Sequence, residues 1–150
     1  CISVSKDGGI NEFHTLLTGE IIYAASSATI LSRTVNLSIS ADSEYLIKGC
    51  EYCEKYGINE ALFKTRILGM LFDCTPEQCM GFFTGAILCG EIRRVTELPH
   101  KRVIVAGKRE LKYPTVYLLE YFSQKEVICV SDVSANNAPA LGAVKIYTEQ

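Results

Sequence analysis

The stretch that decides the fold class is Val103-Ile-Val-Ala-Gly-Lys108. It is an apolar run that stops on Ala106 and Gly107, and a helix-like stretch follows it, so the pattern predicts a strand that enters a glycine turn. In open α/β sheets ligands bind beyond the carboxyl ends of strands, where a residue without a side chain lets the backbone approach a flat ring or a phosphate. Gly107 is therefore the first candidate for a binding residue. A turn that only requires a positive φ is the structural alternative.

The residues around this stretch predict a βαβα unit. Arg102 to Ala106 and Glu126 to Val130 are the predicted strands, Glu110 to Ser123 is the helix between them, and a last helix runs from Ala138 to about Tyr147. Two strands joined by a helical crossover are parallel, and the crossover is right-handed.

Two features of this unit have structural and functional interpretations. Asp132 follows the second strand and could face a cleft, but an aspartate in that position is commonly a turn or cap residue. The spacing of Tyr113, Tyr117 and Tyr121 favours a packed helix face over a stacking platform. Asn136-Asn137 is read first as the start of the last helix and second as a segment next to a nucleotide.

The first thirty residues predict a β-hairpin and a short helix. Cys1 to Ser5 and Ile10 to Leu16 flank a turn in which Asp7-Gly-Gly supplies positive φ angles. Thr18 is placed to cap a helix that begins near Gly19. We therefore expect two antiparallel strands followed by a short, broken helix.

The middle of the chain predicts three helices. The first extends from Asp42 to about Tyr56 and is closed by Gly57, and the second extends from Asn59 to about Met70. Thr75-Pro-Glu-Gln starts a long helix over residues 76–96, because it combines a capping hydroxyl, a proline at the first helical position and a glutamine three residues after the threonine.

Three glycines interrupt the long helix at Gly81, Gly85 and Gly90. Each lowers helix stability by about 1 kcal/mol relative to alanine. The packing that they permit must compensate, so they predict a close helix or backbone neighbour.

Composition excludes several classes of function. The chain has 150 residues, enough for one domain with its own core, and its 15 basic and 17 acidic residues give no field that would attract nucleic acid or anionic lipid. No apolar run reaches the length of a membrane span. The odd number of cysteines, seven, favours a reduced, cytoplasmic protein over a disulfide-bonded one.

Cys50 and Cys53 have the spacing of half a zinc site or of a thioredoxin-type pair. No second pair follows with the spacing of metal ligands, and His14 and His100 lie far apart in the sequence. We interpret the two cysteines as small apolar residues on one side of a helix, with no metal site. A redox or zinc protein stays open as an alternative.

Several segments occur in an order that carries a resemblance: Asn11-Glu-Phe-His-Thr15 and Leu17-Thr-Gly-Glu20, Leu62-Phe-Lys-Thr-Arg66 with Gly69, Phe83-Thr-Gly-Ala-Ile-Leu-Cys-Gly-Glu91, and Val103-Ile-Val-Ala-Gly107. Together they resemble the C-terminal half of the 2-dehydro-3-deoxygalactonokinases. The resemblance implies an α/β lobe of the ribonuclease-H-like, actin-like kinase fold, with an N-terminal β-hairpin, a helical middle and the βαβα unit. It spans nearly the whole chain.

The resemblance implies phosphoryl transfer from MgATP to a hydroxyl of a 2-keto-3-deoxy sugar acid. That chemistry depends on positioning and on neutralising phosphate charge. Ala106, Gly107 and Lys108 match the adenosine loop of such kinases, although a single glycine is a weaker match than a doubled one. Lys108 is expected either near a phosphate or in solvent.

The substrate side of the cleft is expected at Thr18, Gly19, Glu20 and Arg66. A hydroxyl and a carboxylate at a helix start can present backbone N–H groups and an acceptor to a polar ligand. The alternative for Thr18 and Glu20 is a cap with an acid that complements the helix dipole. The fork of Arg66 suits a substrate carboxylate, and pairing with a surface acid is the alternative.

The chain departs from a complete kinase, because it has no acidic-Gly-Thr-Thr turn and begins on Cys1, downstream of the family's second phosphate loop. We therefore expect a single domain, residues 1–150, that is the C-terminal lobe of a longer two-lobed kinase. Its partner is the N-terminal lobe, which brings the catalytic carboxylate. ATP and Mg²⁺ are then cofactors of the whole enzyme. The isolated chain is expected to contain no catalytic residue, to hold neither cofactor firmly and to be inactive.

A different class of function stays open, a non-catalytic binding or oligomerisation module. Tyr117, Leu118, Tyr121 and Phe122 could then cover a partner surface or form a homodimer.

Overall fold

Six helices and two small sheets form a mixed α/β structure that is mostly helical. The computed structural model describes residues 2–5 and 8–148, and the elements named here lie within those ranges. In chain order they are β1 (Ile2–Val4), β2 (Ile10–Phe13), α1 (Thr18–Ala28), a 3-10 helix (Ile30–Arg33), α2 (Ser43–Tyr56), α3 (Ile58–Leu71), α4 (Pro76–Glu97), β3 (Arg102–Val105), α5 (Arg109–Phe122), β4 (Glu126–Cys129) and α6 (Asp132–Thr148).

The N-terminal hairpin is confirmed. β1 and β2 pair in antiparallel fashion, with Ile2 opposite Phe13. Gly8, one of the three predicted turn residues, has a φ of 87°, whereas Asp7 lies outside the described residues, as does Cys1 of the first predicted strand. The apolar side chains of both strands are exposed, because no described element covers this small sheet.

The centre of the fold is the middle of α4, which is buried on all sides. The Thr75–Gln78 capping box predicted from the sequence is present, and every residue from Cys79 to Cys89 is buried. A helix that is apolar all round belongs in a core. Its residues contribute to all three groups of core side chains, Phe83 toward α1, Phe82 toward α3 and Leu88 toward α5.

Close packing of α2 against α4 explains two of the three glycines. A Cβ at Gly85 would overlap the carbonyl of Leu46, and a Cβ at Gly81 would overlap that of Asp42, which is the residue before α2. The prediction of a close backbone neighbour is therefore confirmed at these two positions. It is wrong at Gly90, which is exposed and has no atom within 4 Å of a Cβ.

A fourth glycine completes the contact from the other side. Gly49 on α2 faces the carbonyl of Phe82, so both helices present a bare backbone where they cross. The predicted ends of α2 are confirmed, since Asp42 accepts a hydrogen bond from the N–H of Tyr45 and Gly57 has a φ of 85°.

The C-terminal part contains the predicted parallel strands. β3 and β4 pair with Val103 opposite Val127, and α5 lies between them in sequence. The last helix, however, begins at Asp132 instead of Ala138, so the predicted start is wrong and Asn136 and Asn137 lie inside α6. The hydroxyl of Ser131 accepts the N–H of Ser134 at 3.1 Å and supplies a start signal before the proline.

The tyrosines of α5 do not form a packed face. Tyr113, Tyr117 and Tyr121 are 38–57% exposed, and the buried residues of this helix are Lys112, Leu118 and Leu119. The prediction is wrong because the leucines of this helix pack against the core, which leaves the three tyrosines on the exposed side. Leu118 is thus unavailable to the partner surface that the sequence suggested.

In the described part of the chain, none of the helices is both long and apolar enough to span a membrane.

Candidate functional site

The turn after β3 has the geometry that a ligand-binding glycine turn needs. Gly107 has a φ of 141°, in the region that favours glycine, and a Cβ built there would meet no atom within 4 Å. Ala106 and Lys108 beside it are exposed. The turn leads directly into α5, whose first N–H groups have no partner within the helix, as at every helix start. Open space therefore adjoins a bare backbone at this corner.

A buried ion pair joins this corner to the next one. Lys112 on α5 has a fully buried side chain that donates to the carbonyl of Val130 at 2.7 Å and to the carboxylate of Asp132. The hydroxyl of Tyr113 donates to the other carboxylate oxygen at 3.3 Å. Because parallel strands end at the same edge of a sheet, these contacts hold the first turn of α5 against the start of α6.

The ion pair changes the titration of both partners. The hydrogen bond from Lys112 holds the pKa of Asp132 below its ordinary value of 3.8. The same hydrogen bond raises the pKa of Lys112 above 10.5. Asp132 therefore stabilises the contact between the start of α6 and the first turn of α5. Lys112 was not among the predicted site residues, although its position seven residues before Leu119 places it on the buried side of α5.

The corner at the start of α1 differs from the prediction. Thr18 is the first helical residue, and Leu17 occupies the cap position without a side-chain hydrogen bond. The capping role proposed for Thr18 is therefore wrong. Its hydroxyl instead donates to the carboxylate of Glu91 on α4, while Gly19 and Glu20 are exposed. Glu91 lies in one of the segments that carry the family resemblance but was not among the predicted site residues.

A second polar contact lies one turn further along α4. The guanidinium of Arg94 lies 2.6 Å from Nε2 of His14, and the same nitrogen lies 2.6 Å from Oε1 of Glu12. These contacts attach the end of β2 to α4. Together with the Thr18–Glu91 hydrogen bond, they set the position of the start of α1.

Arg66 does not join this corner. It lies on α3, is half-buried, and donates through Nη1 to the carbonyl of Ile30 at 3.0 Å, beyond the far end of α1. Helix α1 is eleven residues long, which corresponds to about 16 Å at 1.5 Å per residue. The structure therefore separates Arg66 from Thr18, Gly19 and Glu20.

The cysteines form an internal cluster where α2 meets α4. Cys50 is buried and Cys53 is half-buried one turn later, and both contact Cys89. A hydrogen bond with Cys89 raises the pKa of Cys50, burial raises that of Cys53 to about 12, and the hydrogen bond from Cys50 lowers that of Cys89 to about 7. Among the described residues no group of three or more histidine, cysteine or acidic side chains is arranged to hold a metal ion. Cys50 and Cys89 belong to the buried core side chains between α2 and α4, and Cys53 packs against them.

Comparison with known proteins decides the family. The sequence model for 2-keto-3-deoxy-galactonokinase matches residues 2–140. This chain belongs to the 2-keto-3-deoxy-galactonokinase family. A search of curated proteins finds no significant match.

A solved structure from Sinorhizobium meliloti, assigned as a 2-dehydro-3-deoxygalactonokinase, has the same fold as this member of the family. The TM-score is 0.74 and the sequence identity is 19%. The match covers 94% of this chain and 48% of the solved one, so the chain spans about half the length of that structure.

Two of the segments that carried the resemblance meet in this 2-keto-3-deoxy-galactonokinase family member. Leu17–Glu20 begins α1 and Gly90–Glu91 lies on α4, and the Thr18–Glu91 hydrogen bond joins them. The segment that ends at Gly107 forms a separate corner at the ends of β3 and β4. The candidate site residues therefore lie at distinct places, the glycine turn, the start of α1 and the neighbourhood of Arg66.

Proposed function

We propose that this chain is the C-terminal lobe of a carbohydrate kinase that transfers the γ-phosphate of ATP to 2-dehydro-3-deoxy-galactonate. The observation that carries the proposal is the family match over residues 2–140. The open glycine turn after β3 supports it, because a kinase lobe needs a place where backbone can lie against a nucleotide.

In the proposed mechanism the turn formed by Ala106, Gly107 and Lys108 binds the nucleotide. The φ of Gly107 and the empty space around it allow the backbone to contact adenosine, which a side chain would prevent. Lys108 is exposed at the start of α5, where an ammonium group can approach a phosphate. The Lys112–Asp132 ion pair keeps this corner in place when the ligand binds.

The rest of the reaction requires groups outside this chain. Phosphoryl transfer needs a carboxylate near the attacking hydroxyl, Mg²⁺ on the phosphate oxygens and backbone amides around them. We assign none of these to the described residues. We propose that a second, N-terminal lobe supplies them, that the whole cytoplasmic enzyme uses ATP and Mg²⁺, and that both lobes have the ribonuclease-H-like, actin-like kinase fold.

The surface of α6 supports a second lobe. None of its seventeen residues is buried, and Val133, Leu141, Val144 and Ile146 are each more than 60% exposed. An apolar helix of this kind is normally covered. The solved relative is about twice as long as this chain, so we propose that the other half of the kinase covers α6.

A perturbation of the glycine turn tests the nucleotide site. We expect ATP at millimolar concentration to shift the amide NMR signals of residues 106–108 in the 150-residue chain, and Gly107→Val to remove those shifts without unfolding the chain. Gly8→Val is the matched control, because Gly8 also has a positive φ and open space but lies in the hairpin. The nucleotide site is excluded if ATP shifts no signal near Gly107, or if Gly107→Val leaves the shifts unchanged.

A kinase assay tests whether the catalytic groups lie outside this chain. We expect the 150-residue chain with MgATP to phosphorylate no 2-dehydro-3-deoxy-galactonate above a mock preparation. Turnover by the chain alone would contradict the proposal that the phosphate-binding loops and the catalytic carboxylate lie in another lobe.

The exposed apolar side chains of α6 also favour a second function, a binding or oligomerisation module. Light scattering distinguishes the two. A module gives one defined stoichiometry, such as a homodimer, whereas a kinase lobe without its partner associates without a defined size.

A further inference from the structure

Arg66 lies at cavities that the proposed nucleotide site does not use. Two cavities, about 350 and 680 Å³ in volume, adjoin each other beside the 3-10 helix and α3. Arg33 and Arg66 line both of them. Ligand sites in proteins typically occupy about 300 to 1,000 Å³. The cavities are therefore large enough for a small organic molecule.

The two arginines have no acidic partner. Among the described residues, neither Arg33 nor Arg66 lies within 4.0 Å of a carboxylate oxygen. Arg66 uses one nitrogen, Nη1, to donate to the carbonyl of Ile30, and this bond orients its guanidinium while other N–H groups stay available. Two guanidinium groups that line one cavity without a carboxylate partner offer N–H donors and positive charge to an anion.

The remaining lining of the smaller cavity favours an anion that carries carbon. Thr34 contributes a hydroxyl, and the wall is formed by Gly69, Met70, Cys74, Pro76 and Cys79. A Cβ at Gly69 would lie 3.0 Å from Cγ2 of Thr34 and 3.3 Å from Sγ of Cys79, so the glycine lets α3 approach this wall. Forked donors beside apolar walls suit a carboxylate on a short carbon chain better than an inorganic ion.

We propose that Arg33 and Arg66 together bind the carboxylate of a small organic acid in this cavity. Arg66 binds the carboxylate through the N–H groups of its planar guanidinium, and Arg33, at the end of the 3-10 helix, supplies a second guanidinium from the lining of the same cavity. The statement that this acid is the sugar acid rests on the proposed function. The site is separate from the start of α1. Helix α1 spans about 16 Å, whereas a six-carbon acid, at about 3.5 Å for every three bonds, is roughly half as long. One acid molecule therefore cannot reach from this cavity to the start of α1.

Isothermal titration of the 150-residue chain tests the site with three probes, 2-dehydro-3-deoxygalactonate, pyruvate and inorganic phosphate. Arg33→Gln removes one charge from an exposed side chain, and Arg66→Lys keeps the charge but removes the fork. We expect each change to weaken the binding of an organic acid by about tenfold. Arg93→Gln is the matched control, because Arg93 is an exposed arginine that pairs with Glu97 at 3.3 Å, and it leaves the affinity unchanged.

The probes separate the site from the identity of its ligand. Preferred binding of the sugar acid, weakened by both arginine variants, supports the site and the proposed substrate together. Equal binding of pyruvate with the same sensitivity supports the site and contradicts the sugar acid as its ligand. No binding of either acid, binding of phosphate alone, or acid binding that neither variant weakens overturns the proposal.

Discussion

The crossing of α2 and α4 predicts opposite effects for the same substitution at two positions of one helix. Gly85→Ala places a Cβ against the carbonyl of Leu46, whereas Gly90→Ala places it in open solvent. Both changes favour the helical conformation by about 1 kcal/mol, because alanine loses less backbone entropy than glycine. Only the change at Gly85 forces the two helices apart.

The loss of unfolding free energy in Gly85→Ala depends on the atom that the new Cβ overlaps, the carbonyl oxygen of Leu46. Overpacking a core costs about 1 to 3 kcal/mol, and a backbone carbonyl in the middle of a helix cannot rotate away as a side chain can. Taking about 3 kcal/mol for the clash and subtracting about 1 kcal/mol of helix propensity leaves a net loss of about 2 kcal/mol. Gly90→Ala is expected to raise the free energy of unfolding by about 1 kcal/mol.

Urea and thermal unfolding, followed by circular dichroism, measure both variants against the wild-type chain. At about 2 to 4 °C per kcal/mol for a chain of this size, the Tm falls by about 4 to 8 °C in Gly85→Ala and rises by about 2 to 4 °C in Gly90→Ala. Equal stabilisation by the two substitutions would refute the reasoning, because it would mean that α4 does not pack its backbone against α2.

Two further outcomes follow from the same structure. The pKa of Asp132 lies below 3.8 in the folded chain, so its ion pair with Lys112 contributes its full stabilisation above about pH 3.8 and loses it as the pH falls through the folded pKa. The Tm difference between wild type and Asp132→Asn is therefore expected to close below about pH 3.8. A constant difference from pH 7 to pH 2 would contradict this. Thr75→Ala removes the hydroxyl that accepts a hydrogen bond from the N–H of Gln78, and it is expected to lower the free energy of unfolding by about 1 kcal/mol. Thr75→Ser keeps the hydroxyl and is expected to keep the stability. Urea titration measures both variants, and an equal loss of unfolding free energy in the two would contradict the capping role.

Much of the fold can be predicted from local sequence signals, and the misplaced start of α6 also has a local cause. The cap at Thr75 and the glycine at Gly57 end or begin helices through hydrogen bonds and φ angles that involve only neighbouring residues, so they were predicted correctly. The start of α6 was misplaced because Asn137-Ala-Pro is typical of a helix start, while Ser131 supplies an equivalent signal earlier. Two local signals competed, and the sequence contains no measure of which one prevails.

The candidate site was less accessible to sequence reasoning. The positive φ of Gly107 was predicted from a strand that stops on a glycine. The partner of Thr18 is 73 residues away, and the partner of Lys112 is 20 residues away across a strand. Nothing in the local pattern distinguishes a threonine that caps its own helix from one that donates to a different helix, so the role of Thr18 was predicted incorrectly.

By itself, the sequence determined the order and type of nearly all elements, the caps of α2 and α4, the parallel pair β3 and β4, and the family, because these depend on short-range hydrogen bonding, on the periodicity of apolar residues and on ordered motifs. The tertiary structure alone decided which glycines of α4 meet a neighbour, which side of α5 is buried, and that Arg66 lies beside Arg33 and away from Thr18. Those facts depend on how the helices cross and on which apolar faces they bury against one another, and both involve residues that are distant in the sequence.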